Sequence, residues 1–437
     1  MRVEGFKPAA LTSERADVVK KVMDAALGAV DPAQAVALNM HLQNDLLYVA
    51  DTPYTLSEYA QIIAVGVGKA APAMARGLLN VLGERVKNGV LICKHLPPMQ
   101  DSLFPKGIVC LPGDHPVPGQ DSLKSALQLA DLLALCDSRT LVFCLISGGG
   151  SALMTLPYQG VSLQDLQVLT RLLLACGAEI GEINTLRKHL DRIKGGGMAQ
   201  LAFPARIISL ILSDVVGSPL DVIASGPTTP DPSTFMDALA ILKKYNLLSA
   251  APESVMQILK SGAEGELPET LKVGDPCLNQ VQNRVIGENR TAALAALQMA
   301  EKLGFETQWQ TSSLTGEACQ VGRQLAEVMR LRRADSSLQQ PFCVMAGGET
   351  TVTLRGPGLG GRNQEVALAA VELLAGLKNI ALVTLATDGE DGPTDAAGAV
   401  VTGESLARAQ NLGLDPKIFL AQNDSYHLIP HRPIGDK

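Results

Sequence analysis

The stretch Leu141–Ser151, LVFCLISGGGS, constrains the fold more than any other part of the chain. Leu141, Val142, Phe143, Cys144, Leu145 and Ile146 make a continuous apolar run that stops at Ser147-Gly148-Gly149-Gly150-Ser151. A short apolar run bounded by turn residues reads as a strand buried on both faces. The glycines carry no Cβ, so the backbone there can take positive φ and approach a ligand closely. Ser162 then offers an N-cap to a helical pattern from Leu163 to Cys176. Open α/β sheets bind ligands at the carboxyl ends of their strands. A glycine loop at such an end, with its amide hydrogens outward, is an anion nest. The loop is expected to hold phosphate.

The rest of the chain repeats that alternation. Val18, Val19, Val22, Met23, Ala26, Leu27 and Val30 recur at helical spacing, and a second helix is expected from Pro32 to Leu47. Buried strands are expected at Gln61–Val67, Gly89–Cys93, Ile108–Leu111 and Ile207–Leu212, with helices at Asp121–Leu135 and near Glu179–Ile193. Strands alternating with helices imply a doubly wound, mostly parallel sheet. Ser261–Asp275, rich in Gly, Pro and Glu and without apolar period, reads as a linker. Beyond it come strands at Arg284–Ile286, Phe342–Ala346 and Ala381–Leu385. Helices are expected at Arg290–Leu303 and Gly316–Arg330 and from Arg362, with a hairpin-like segment at Thr351–Leu354. The chain is therefore divided into domains at 1–260 and 276–437, joined by 261–275.

Composition narrows the function. At 437 residues the chain exceeds one ordinary core. Apolar residues at 46% and charged residues at 19% describe a packed globule. Aromatics at 3% and a net charge of −7 without a basic stripe argue against nucleic-acid binding. No apolar run approaches a membrane span, and the N-terminus lacks a signal-peptide core. The eight cysteines, without a CxxC pair, read as reduced core thiols, and the expected location is cytoplasmic.

Several residues have the chemistry of a site. Gly66-x-Gly68-x-x-Ala71 matches a dinucleotide fingerprint, but its second strand ends in Cys93-Lys94-His95 rather than in an acidic residue. What remains is Lys69 at a glycine turn opening a helix, unfavourable beside the helix dipole unless it meets an anion. Gly360-Gly361 deliver Arg362 to the start of another helix, and an arginine fork suits phosphate or carboxylate. Asp388, Asp391 and Asp395 cluster after a strand and suit a hard cation, or else form a solvated turn. Asn184, Arg187 and Lys188 share a helical face, with Lys194 just beyond; they suit a small acid or form a surface stripe. Asp214 follows a strand, where a metal ligand or acid–base group is well placed. His115, in a Pro-rigid loop, reads as a structural hydrogen-bonding group. Ser147 and Ser151 do not form the G-x-S-x-G elbow of a serine hydrolase.

Taken together, GVGKAA, GDHPVP, LISGGGSALM, INTLRKHLDRIKGGGMA, LILSDVVG with VIASGPT, GENRTA, LTGEA, AGGETTV, GGRNQE and TDGEDGPTDAAGA resemble, in this order, the glycerate 2-kinase family. That family carries a C-terminal MOFRL domain and is called hydroxypyruvate reductase in older usage. The likeness runs from Val65 to Ser425. It implies an N-terminal Rossmann-like α/β domain and a MOFRL-type α/β domain, with the active site in a cleft between them. It implies ATP- and Mg²⁺-dependent phosphorylation of D-glycerate at its C2 hydroxyl; an NAD(P)H-dependent hydroxypyruvate reductase is the alternative. The family's catalytic lysine falls on Lys69 and its catalytic arginine on Arg362. Under the same resemblance Gly148, Gly149, Gly150 and Ser151 are assigned to nucleotide phosphates. Asn184, Arg187 and Lys194 are assigned to glycerate, and Asp214 and Asp388 to Mg²⁺. A homodimer is compatible with this reading. Two departures stand out. Ser218 replaces an aspartate after Gly217, and after Asn423-Asp424-Ser425 the tail Tyr426–Pro433 replaces a Thr-Gly-x-Thr-x-Thr-Asn-Val-like loop. The family's final strand and that loop are expected to be missing.

Overall fold

The computed structural model describes residues 11–97, 103–335 and 340–428. The start of the N-terminal segment and most of the divergent tail after Tyr426 lie outside them. Contacts divide the chain into two units: Pro32–Glu288, and Met1–Asp31 together with Asn289–Lys437.

In the unit Pro32–Glu288, the helix from Pro32 stops at Leu38 instead of running to Leu47. Strands β1 (Met40–Gln43), β2 (Leu46–Val49) and β3 (Thr52–Thr55) follow as an antiparallel sheet. Gln43 pairs with Leu46, so Asn44 and Asp45 are a two-residue turn, and Asn44 takes φ 54°. Asn tolerates the left-handed region that such hairpin turns demand. The turn residues decide the element here, against a helical apolar spacing.

The main sheet contains β4 (Gln61–Val67), β5 (Val86–Cys93), β6 (Ile108–Pro112), β7 (Thr140–Ile146), β8 (Arg206–Leu212) and β9 (Val281–Gly287). All its pairings are parallel, in the order β6-β5-β4-β7-β8-β9. This is the doubly wound order in which the chain works outward from β4 on one side and from β7 on the other. Alternate residues feed two cores. Ile63, Val65, Val142, Cys144 and Ile207 pack on one face with Ala126, Leu129 and Leu133 of the helix Gln120–Ala134. Ile62, Ala64, Leu141, Phe143 and Leu145 pack on the other with Met74 and Leu78 of the helix Ala71–Leu82. Burial on both faces is why these strands are unbroken apolar runs. A third core joins the helices Leu163–Ala175, Ile180–His189, Phe235–Lys244 and Glu253–Ala263.

The division between units falls at 31/32 and 288/289, rather than across the 261–275 stretch that composition marks as a linker. Strand β9 lies beyond that stretch yet pairs with β8, from Ile207↔Val281 to Leu212↔Gly287. The helix Ser13–Ala29 belongs with the C-terminal residues.

That second unit holds β10 (Glu306–Leu314) parallel to β11 (Phe342–Gly348), and β12 (Ala381–Leu385) antiparallel to β13 (Gly398–Thr402). The helices Ala318–Ala334 and Arg362–Leu374 pack together around Ala326, Ala367, Ala370 and Leu374. The hairpin expected at Thr351–Leu354 does not form; Thr351 instead makes one isolated parallel bridge with Glu317. No described helix is long and apolar enough to cross a membrane. All eight cysteines are free thiols, and burial pushes Cys93 up to about 11 and Cys110 to about 12.

Candidate active site

In a doubly wound sheet the ligand crevice opens where the strand order reverses, here between β4 and β7. Val67 and Ile146 are the last paired residues of those strands. The turn Gly68-Lys69-Ala70 and the loop Ser147–Gly150 therefore leave the sheet side by side. Hydrogen bonds join them: the Lys69 amide donates to Gly148 O at 3.1 Å, and the Ala70 amide to Ser147 Oγ at 3.1 Å. Gly68 has φ 124°, and a Cβ on it would stand 2.2 Å from Ser147 Oγ. Glycine is required there by the contact between two loops. Ser147, read from sequence only as a failed hydrolase nucleophile, is the residue that joins them.

The glycine loop is walled by two further side chains. A Cβ on Gly148 would lie 2.0 Å from Asp214 Oδ2, so this exposed carboxylate rests against the loop backbone. Gly149 takes φ 81°, and its missing Cβ would lie 3.3 Å from the His115 ring. Asp114 fixes the loop that carries His115 by accepting the Asp121 and Ser122 amides, both at 3.1 Å, at the start of the next helix. His115 thus stands against the glycine loop. Mg²⁺ binds through one or two carboxylates plus phosphate oxygens and water. A single hard carboxylate beside a phosphate-type nest, as Asp214 is, fits that requirement.

The small helix Gly150–Leu153 continues the loop. Ser151 Oγ lies 2.8 Å from Ser225 Oγ, and Ser225 Oγ lies 3.3 Å from Asn184 Oδ1. Asn184 and Ser225 are buried; Ser151 is half-buried. Arg187, one turn along from Asn184, makes no hydrogen bond among the described residues. Lys194 differs. It is 2% exposed, donates to Met154 O at 2.9 Å and Thr155 Oγ1 at 3.2 Å, and is ion-paired with Asp191. Burial pulls its ammonium below the ordinary lysine range, with Asp191 opposing. All three of its protons have protein acceptors, so Lys194 does not serve the acid. Lys188 is likewise buried against Asp231 at 2.6 Å.

In the other unit, Arg362 opens the helix Arg362–Leu374 and is half-exposed. Its Nη1 donates to Glu349 Oε1 at 2.5 Å and Thr350 O at 3.4 Å. The acidic cluster after β12 separates into different tasks. Asp391, 2% exposed, accepts the Asn363 and Gln364 amides at 2.9 and 2.8 Å and so caps this helix. Asp395 Oδ1 accepts the Tyr426 hydroxyl at 2.6 Å. Asp388 is exposed and accepts the Glu390 amide at 3.2 Å. Asp391 and Asp395 are thus engaged in holding the fold, while Asp388 lies exposed at the end of the cluster.

A family model described as a domain of unknown function, DUF4147, matches residues 18–260, and the MOFRL family model matches residues 342–432. The D-glycerate 2-kinase of Thermotoga maritima is 38% identical over 97% of this chain and 94% of its own length. The chain belongs to the glycerate 2-kinase family. The glycerate 2-kinase of Pyrococcus horikoshii is also 38% identical, over 94% of this chain and 90% of its own. The human glycerate kinase is 35% identical, over 94% of this chain and 87% of its own. Among solved structures, the glycerate kinase of Thermotoga maritima matches with a TM-score of 0.80 at 37% identity, covering 96% of this chain and 94% of that one. A Pyrococcus horikoshii protein matches with a TM-score of 0.76 at 37% identity, covering 96% and 93%. The glycerate 2-kinase family thus accounts for both units of the chain.

Proposed function

We propose that this protein transfers the γ-phosphoryl group of ATP to the C2 hydroxyl of D-glycerate, giving 2-phospho-D-glycerate and ADP. The observation that carries this reading is the full-length similarity to the D-glycerate 2-kinase of Thermotoga maritima. The amides of Gly148, Gly149 and Gly150 are the donors for the nucleotide phosphates, at the crevice that the strand order creates. Lys69 and Arg362 are the cations for the charge on the transferring group. Phosphoryl transfer leaves little covalent work to the protein, so positioned positive charge supplies most of the rate. Mg²⁺, when bound, supplies charge neutralisation on the phosphate oxygens. Asp214 and Asp388 are the residues that would hold it. Asn184 and Arg187 take the glycerate carboxylate.

A nicotinamide-dependent reductase is not favoured, because β5 ends at Cys93 and is followed by Lys94, with no carboxylate for a ribose. The test is ADP release from Mg²⁺-ATP with D-glycerate, followed by separation of 2- from 3-phosphoglycerate. Glycerate-dependent formation of 2-phosphoglycerate is expected. NADH oxidation with hydroxypyruvate and no glycerate-dependent ADP would overturn the reading.

A further inference from the structure

The hydroxyl protons around Ser151 can be counted. Asn184 Oδ1 only accepts hydrogen bonds, so the contact at 3.3 Å uses the single hydroxyl proton of Ser225. The 2.8 Å contact between Ser225 Oγ and Ser151 Oγ must then use the proton of Ser151. The chain runs in one direction: Ser151 donates to Ser225, and Ser225 donates to Asn184. Ser151 has no proton left and offers only lone pairs. A phosphate oxygen is also only an acceptor, so it finds a donor in the loop amides but none in this hydroxyl.

We propose that Ser225 is a positioning residue that holds Ser151 as a hydrogen-bond acceptor for the hydroxyl of the hydroxy-acid substrate, rather than as a donor to nucleotide phosphate. The proposal rests on the glycerate kinase reading and reassigns Ser151 within it. The surroundings match. Ser225 is fully buried, and it sits at φ 60° directly after Ala224 at φ 50°. Two successive non-glycine residues in the left-handed region persist only when the structure around them enforces the shape. That shape presses Ala224 onto the glycine loop, where a Cβ on Gly150 would lie 2.8 Å from the Ala224 Cβ. The amide nitrogen of Asn184 and the guanidinium of Arg187 have no acceptor among the described residues. An acceptor at Ser151 and donors at Asn184 and Arg187 are the complement of a hydroxyl beside a carboxylate.

The test is steady-state kinetics on Ser225→Ala, Ser151→Ala and the double variant, varying D-glycerate and Mg²⁺-ATP separately. Ser225→Gly removes the same hydroxyl without the left-handed strain, so a folding defect in Ser225→Ala leaves a usable variant. Removing the Ser225 hydroxyl is expected to raise KM for D-glycerate about tenfold, the scale of one lost oriented hydrogen bond. KM for ATP and the melting temperature should stay near wild type. The double variant should be no worse than Ser151→Ala alone, because Ser225 acts through Ser151. An unchanged glycerate KM, a rise confined to the ATP KM, or additive losses would overturn the proposal and leave the kinase reading intact. A wild-type protein that does not phosphorylate glycerate would overturn both.

Discussion

The hydroxyl of Ser147 accepts the amide hydrogen of Ala70 at 3.1 Å, so the turn that carries Lys69 is fastened to the glycine loop. The fastening depends on Gly68, whose missing Cβ would meet Ser147 Oγ at 2.2 Å and the Ser147 carbonyl oxygen at 2.5 Å. The hydroxyl could rotate away, but the carbonyl is main chain and its strand is buried. Gly68→Ala also places a side chain at φ 124°. Together these should cost about 2–4 kcal/mol and displace Lys69. Urea unfolding should show the loss, and turnover should fall further than the lowered stability alone explains.

Lys69 itself sits half-buried on that turn, outside the packed strands. Lys69→Ala should lower kcat by about 10²–10³ with little change in melting temperature, as removal of other charge-stabilising groups does. A variant with wild-type turnover would remove Lys69 from the mechanism.

Gly148 makes a different demand. A Cβ there meets the Asp214 carboxylate, a side chain that can swing, rather than main chain. Gly148→Ala should therefore fold normally yet need more Mg²⁺ for half-maximal rate, because Asp214 is pushed off the loop. A titration of rate against Mg²⁺ reads this directly. An unshifted curve would separate Asp214 from the metal.

These positions show which parts of the site could be read from the chain. Lys69 and Arg362 stand out in the chain because each is a cation set by glycines at the opening of a helix, where a positive charge has no local reason to be. The central strands were legible because burial on both faces writes an unbroken apolar run. Strand β10 was not: ETQWQTSSL is half-exposed, so it carries no such run. Strand β9 carries little apolar run and pairs with β8 across the intervening helices, so its place in the main sheet is not written in the local sequence. Lys194 has the composition of a ligand-binding lysine; its burial against Asp191, Met154 and Thr155 is a tertiary fact. Ser225 lies in the VIASGPT stretch of the resemblance, but left-handed backbone at a serine has no sequence signature, so its place beside Ser151 is a tertiary fact.

Arg362 and its helix separate charge from scaffold. The Arg362–Glu349 pair is about half-exposed on both sides, so Glu349→Gln should change stability by less than about 1 kcal/mol. Arg362→Ala should likewise fold, and lose about 10²–10³ in kcat. Asp391→Ala should do the opposite. It strips the cap from the Asn363 and Gln364 amides in a buried site and should cost about 2–3 kcal/mol, measured by urea unfolding.

Glu365 follows on the same helix and is buried. Burial raises its carboxyl above the ordinary glutamate range, and the nearby Glu317 adds to that; the hydrogen bond from Asn423 and the charge of Arg355 oppose. Cys319 completes the group around it, within 4.8 Å of both carboxylates. The folded protein therefore favours the protonated acid more than the unfolded chain does. This contribution is fully present below the unfolded-state value and is lost as pH rises through the raised folded-state value. Glu365→Gln keeps a neutral group of the same size at every pH. As pH rises from the ordinary glutamate range through the raised folded-state value, the wild type should lose unfolding free energy relative to that variant, with the difference levelling off at both ends. Parallel stability curves for the two proteins would mean that Glu365 titrates alike in both states. A wild type that gains on the variant as pH rises would mean that Asn423 and Arg355 outweigh the burial.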